Sequence, residues 1–185
     1  MKKNTLFFAM LIVAGSFQAC GDNNTKDDPV KVAEDMNDVN KQVPEKASDF
    51  MVKAASGGMM EVELGTMAQD KAQNPRVKEF GAMMVKDHTQ ANSEMKVVAD
   101  LKRVALPPTL GDDHQKHVND LQAKAGAEFD KAYMSMMVDD HKKDISEFED
   151  AAKVDDADVK AFAMKTLPVL RTHLDSAKSI YDAVK

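Results

Sequence analysis

The chain has 185 residues, with 31 acidic against 25 basic side chains, a formal net charge of −6 and no tryptophan. That balance argues against nucleic-acid binding and against adhesion to an anionic lipid surface. A single cysteine rules out an internal disulfide and a thiolate metal cluster.

Lys2 and Lys3 precede an apolar run over residues 6–17, followed by Gln18-Ala19-Cys20-Gly21. The run is well short of the ~20 residues that a membrane-crossing helix needs, and it ends on a small residue before cysteine, as a cleaved signal peptide does. Phe17-Gln18-Ala19-Cys20 resembles a lipobox, which makes Cys20 the expected site of lipidation and the lipid the expected contact with the membrane. The reading is therefore an exported, lipid-anchored protein of the bacterial cell envelope, at the outer membrane or on the periplasmic side. Loss of Lys2 and Lys3 with the signal takes the net charge from −6 to −8. Residues 21–45 are polar, carry Pro29 and Pro44 and show no sustained period, so residues 20–46 are expected to be a tether that buries no core. Residues 1–19 are then the signal and residues 47–185 the folded domain.

Within that domain the apolar residues recur at three- and four-residue steps. A helix over 47–73 would carry Phe50, Ala54, Gly57, Glu61, Leu64 and Ala68 on one stripe. Asn74-Pro75 ends it and starts a second over 75–104, with Val77, Phe80, Met84, His88, Ala91 and Met95 inward. Leu106-Pro107-Pro108 closes that helix. A short helix follows over 112–124, bearing His114 and His117, and then a long one over 127–153 aligning Phe129, Tyr133, Met137, His141, Asp144 and Phe148. The last, from about 156, has Val159, Ala163, Leu167, Leu170, Leu174 and Ala177 on a seam that also takes in His173, with a kink expected at Pro168.

Residues 78–95 align without gaps to 131–148: Lys78, Met83, Met84, Val85, Asp87, His88, Ser93 and Glu94 recur as Lys131, Met136, Met137, Val138, Asp140, His141, Ser146 and Glu147. Such a match reads as a duplicated helical hairpin. Two hairpins joined by a crossover make a ferritin-like antiparallel bundle, so the expected class is all-α, with four main helices and one short one.

Gly57-Gly58-Met59-Met60-Glu61, Met84-Val85-Lys86-Asp87-His88, Phe129-Asp130-Lys131-Ala132-Tyr133, Asp140-His141 and Leu167-Pro168 with His173 together resemble the bacterial envelope domain of unknown function 4142, over about residues 49–181. The resemblance implies a ferritin-like helical bundle and an envelope location, and it lends the chain no established enzymatic activity.

Glu61, His88, His141 and His173 all fall on apolar stripes near the midpoints of their helices. Burying four polar groups without partners would cost several kcal/mol each against a total stability of ~5–15 kcal/mol, so they must meet partners. One solution is a hydrogen-bonded core of histidines and carboxylates in a non-catalytic module that binds an envelope protein or the cell wall. The other is a single zinc, iron or manganese ion held by Glu61, His88, His141 and His173, with Asp87 and Asp140 orienting the imidazoles, in a bundle that stores, senses or uses the ion. A di-iron Glu-x-x-His pattern is not present, since Val85, Val138 and Leu170 stand three residues before the histidines. His114 and His117 form a separate, weaker candidate. Catalysis is not expected, because no nucleophile is paired with a base in the sequence, and the adjacent methionines Met83-Met84 and Met136-Met137 point about 100° apart on a helix, as core residues do.

Overall fold

The computed structural model describes residues 27–185 and, among them, six helices and no strand. They are α1 (Pro29–Asn40), α2 (Glu45–Lys71), α3 (Pro75–Lys102), α4 (Asp112–Gln122), α5 (Gly126–Ala151) and α6 (Ala157–Val184). The signal segment and Cys20 lie outside the described residues. Among these, no helix is long and apolar enough to cross a membrane.

The expected tether contains α1. Asp28 caps it by accepting from the Val30 amide at 3.0 Å, Pro29 occupies its first turn where the missing N–H costs nothing, and Lys41 ends it in the left-handed conformation. Its inner face is small and polar: Ala33 is buried, and Asn37 exchanges two hydrogen bonds with the backbone of Ala105, at 3.0 and 2.8 Å. A helix held down by an asparagine rather than by leucines leaves no apolar period to read.

The other boundaries follow the local chemistry. Asn74 caps α3 through the Arg76 amide, with Pro75 next. Asp156 caps α6 through the amides of Asp158 and Val159, and Lys102 from the end of α3 reaches the carboxylates of Asp156 and Asp158 at 2.9 and 2.7 Å. The α6 helix continues through Pro168.

α2 packs mainly along α3, and α5 along α6; α2 also meets α5, and α3 meets α6, while α1 and α4 lie against α2. The three-residue link between α2 and α3 and the five-residue link between α5 and α6 make both pairs antiparallel. The internal sequence match therefore relates α3 to α5, not one packed hairpin to another. The duplicated-hairpin expectation is corrected on this point, because the counterpart of α2 is the 11-residue α4, too short to run along α5.

α2 and α3 come together through glycine. A Cβ on Gly65 would stand 2.7 Å from the Gly81 carbonyl oxygen, and one on Gly81 would stand 2.6 Å from that of Gly65, so the two backbones touch there. The apolar core forms two clusters, and the glycine contact belongs to the first. One runs from Met60, Leu64, Phe80 and Met84 to Tyr133, Met137 and Ala177, and the other from Phe50, Met51 and Met95 to Phe148, Phe162 and Leu170. Between them, on α3, α5 and α6 alike, the inward residue is a histidine.

Candidate functional site

His88, His141 and His173 fill the gap between the two apolar clusters, each less than a tenth exposed. Their ring centroids are 5.3 to 5.8 Å apart, and one nitrogen from each lies within 4.8 Å of the other two. Each of the three helices contributes one donor, so the cluster exists only when α3 and the α5–α6 pair are packed together.

The hydrogen bonds assign the tautomers. His141 Nδ1 is 2.9 Å from the Met137 carbonyl oxygen, which can only accept, so Nδ1 carries the hydrogen. His173 Nε2 is 3.0 Å from Asp87 Oδ2, and it too must donate. The remaining nitrogens, His141 Nε2 and His173 Nδ1, then face each other at 3.3 Å with a lone pair on each. His88 Nε2 is buried beside them with no protein partner. Two inward lone pairs at this distance repel unless a cation lies between them. Their separation matches the edge of a tetrahedron around an ion with nitrogens at ~2.0–2.1 Å, roughly 3.3 Å.

Burial is the main cause of every large shift here. It holds His141 at about 4, with His173 pushing the same way and the Met137 carbonyl opposing. It holds His88 well below the ordinary imidazole range, helped by the other two rings, and it lowers His173 against the pull of Asp87. At neutral pH all three are neutral donors, as a metal requires.

The carboxylates fall differently. Asp87 is where expected, orienting His173. Asp140, expected to orient an imidazole, makes no such bond: its buried Oδ2 has no partner, and burial raises its pKa, partly offset by His117 and Lys143. Glu61 is 1% exposed and lies 3.7 Å from His141 Nδ1, the nitrogen bonded to the Met137 carbonyl and not the one that faces His173. It is thus not one of the donors that converge. Neither of its oxygens has a hydrogen-bond partner, and burial, then Asp144 and Asp140, raise its pKa well above the carboxylate range. Beside it the buried Tyr133 hydroxyl is also unpartnered, its pKa raised by burial and by Glu61. Asp144, one turn beyond His141, is pushed up to about 7 by burial, then by Asp140 and Glu147. The stripe on α5 contained Asp144, but its height beside the imidazoles follows only from the packing.

His114 is not part of the cluster. Its Nδ1 stands 2.7 Å from Ser56 Oγ, which in turn accepts from the Gly111 amide at 3.0 Å. This serine–histidine pair is absent from the linear sequence pattern. Ser56 is fully buried, so the pair ties the start of α4 to α2 rather than offering a nucleophile to solvent.

An all-helical protein with a buried three-histidine layer is the class that these observations define. Residues 33–180 match the model of the Domain of unknown function (DUF4142), and the chain belongs to that family. The match begins inside α1, earlier than the resemblance over residues 49–181 implied. Searches of curated proteins and of solved structures each return no match.

Proposed function

We propose that this protein binds one transition-metal ion through His88, His141 and His173, in a ferritin-like bundle anchored to the cell envelope by lipid on Cys20. The observation that carries the metal reading is the facing pair of lone pairs on His141 Nε2 and His173 Nδ1, beside the unpartnered His88 Nε2. Asp87 behind His173 is the carboxylate–histidine arrangement that fixes a ligand's tautomer and raises its basicity. An all-imidazole donor set suits zinc or iron better than manganese, which prefers oxygen. A purely hydrogen-bonded core accounts for the Asp87 and Met137 contacts but leaves the inward nitrogens without a hydrogen between them.

Two antiparallel pairs joined by a crossover through α4 support the ferritin-like arrangement. The anchor rests on the signal and lipobox pattern, and the mass of the mature N-terminal peptide tests it: a diacyl or triacyl cysteine at residue 20 is expected, and an unmodified one overturns it. The metal reading is tested by plasma mass spectrometry on the full-length chain, purified in detergent without a histidine tag, beside a His88→Ala/His141→Ala variant. About one equivalent of zinc or iron, lost in the variant, is expected. Less than about a tenth of an equivalent, even after reconstitution, overturns the reading.

A further inference from the structure

Two hollows lead to this cluster. The outer one, about 130 Å³, lies between α3 and α6 and is lined by Asp87, Gln90, Ala91, Glu94, Lys165 and Thr166. The inner one, about 30 Å³, has His88 in its wall together with Asn92, Asp144 and Leu170. Ala91 and Thr166 line both, so the two hollows adjoin at these side chains. The inner space suits one water or another very small molecule, and it is polar enough to keep it: Asn92, Asp144, Thr166 and His88 stand in its wall among apolar side chains. Gly58 on α2 lies against the Asn92 amide, where any Cβ would overlap it, so the α2 backbone fixes the cavity's floor.

Resting on the three-histidine metal reading, we propose that the centre keeps one coordination position for a small exogenous ligand, a water, hydroxide or compact anion. That ligand enters between Ala91 and Thr166. Three protein nitrogens leave a tetrahedral ion one position short, and three ligands with an open position is the pattern of metal sites that act on a ligand rather than only hold the fold. Glu61 is not among the converging donors, and its carboxylate lies 3.7 Å from His141 Nδ1, the nitrogen bonded to the Met137 carbonyl. The cavity touches the cluster at His88, the ring whose Nε2 has no protein partner. At the outer rim Lys165 is held by Glu94 at 2.7 and 2.8 Å, placing an ammonium at the mouth without driving it inward.

Full-length protein loaded with cobalt(II) gives a visible ligand-field spectrum that reports the coordination shell, and azide is the probe. Azide is expected to shift the bands saturably. Ala91→Leu and Thr166→Leu, which put a side chain into the cavity from α3 and from α6, are each expected to weaken azide at least tenfold while cobalt stays near one equivalent and helix content by circular dichroism is unchanged. Either variant suffices if the other does not fold. A spectrum indifferent to azide in stoichiometrically loaded protein overturns the open position and leaves the metal site standing. Azide binding as tight in the folded variants as in the parent overturns the route. Failure to take up cobalt at all overturns both readings.

Discussion

Asp130 and Glu61 are both buried carboxylates, 3% and 1% exposed, and they are treated in opposite ways. Asp130 on α5 reaches the turn between α2 and α3 and accepts from the amides of Gln73 and Asn74, at 3.0 and 2.8 Å. It satisfies two backbone donors that a helix start would leave unpaired. Glu61 accepts from nothing, and His88 Nε2, the Tyr133 hydroxyl and Asp140 Oδ2 are also buried without partners. A buried charge that closes a turn needs no explanation beyond the fold. Several polar groups buried without partners imply a role for which stability is given up.

The largest effect should come from the satisfied carboxylate. Asp130→Ala removes two charge-assisted hydrogen bonds, leaves a buried core position unfilled and two part-buried amides without their acceptor, and should cost about 3 kcal/mol in chemical denaturation. The metal content of the fraction that folds should not change. Next is the glycine contact that brings α2 to α3: Gly81→Ala places a Cβ 2.6 Å from the Gly65 carbonyl oxygen and 2.8 Å from the Ala68 Cβ, and overpacking of this kind costs about 1–3 kcal/mol. A melting temperature within a degree of the parent would show that the two backbones do not touch.

At the polar layer the effects move from stability to binding. Asp87→Asn leaves His173 in place but weakens its orienting partner, and metal affinity by competition with a chelator should fall about 10–100-fold. An unchanged affinity would detach Asp87 from the metal. Glu61→Gln sharpens the contrast with Asp130. It should keep one equivalent of metal, whereas loss of metal would put Glu61 back among the ligands.

Glu61→Gln also changes the response to pH. Glu61 has a raised pKa, so in the folded, metal-free protein it holds a proton that the unfolded chain releases above ~4.3, and it costs stability at high pH that returns as pH falls. Asp144 behaves alike, from about 7 downward. His88, His141 and His173 have lowered pKa values, so their contribution is complete above ~6.5 and is lost as pH falls toward the value of about 4 for His141. The two sets oppose each other between pH 7 and 5, and the metal-free parent should lose only a few degrees of melting temperature over that span. Glu61→Gln should be more stable than the parent at pH 8, with the gain gone at pH 4, and should fall more steeply on acidification. Parallel curves for parent and variant would mean that Glu61 is not held neutral.

Much of this layer was legible from spacing, because proline and glycine delimit the long helices and a stripe fixes both the face of a residue and its height. That is enough to bring His88, His141 and His173 together. It does not say which ring nitrogen a neighbour approaches, so Glu61 reads as a fourth donor when it lies beside His141 Nδ1 and outside the converging set, and Asp140 reads as a partner of an imidazole to which it makes no hydrogen bond. Asp144 lay on the stripe with nothing to mark it until α5 packed beside α2. The α1 helix was missed because its buried face is Ala33 and Asn37, with no large apolar residue, and the closeness of Gly65 to Gly81 depends on a pairing of helices that neither segment encodes alone.

A metal ion held by the three imidazoles has a direct spectroscopic signature. X-ray absorption at the metal edge of the zinc- or iron-loaded full-length protein should show imidazole scattering from three nitrogens, at ~2.0–2.1 Å for zinc, and the imidazole signal should drop in His141→Ala while remaining in Glu61→Gln. A first shell of oxygens without imidazole scattering, or one unchanged by the loss of His141, would contradict the three-imidazole site.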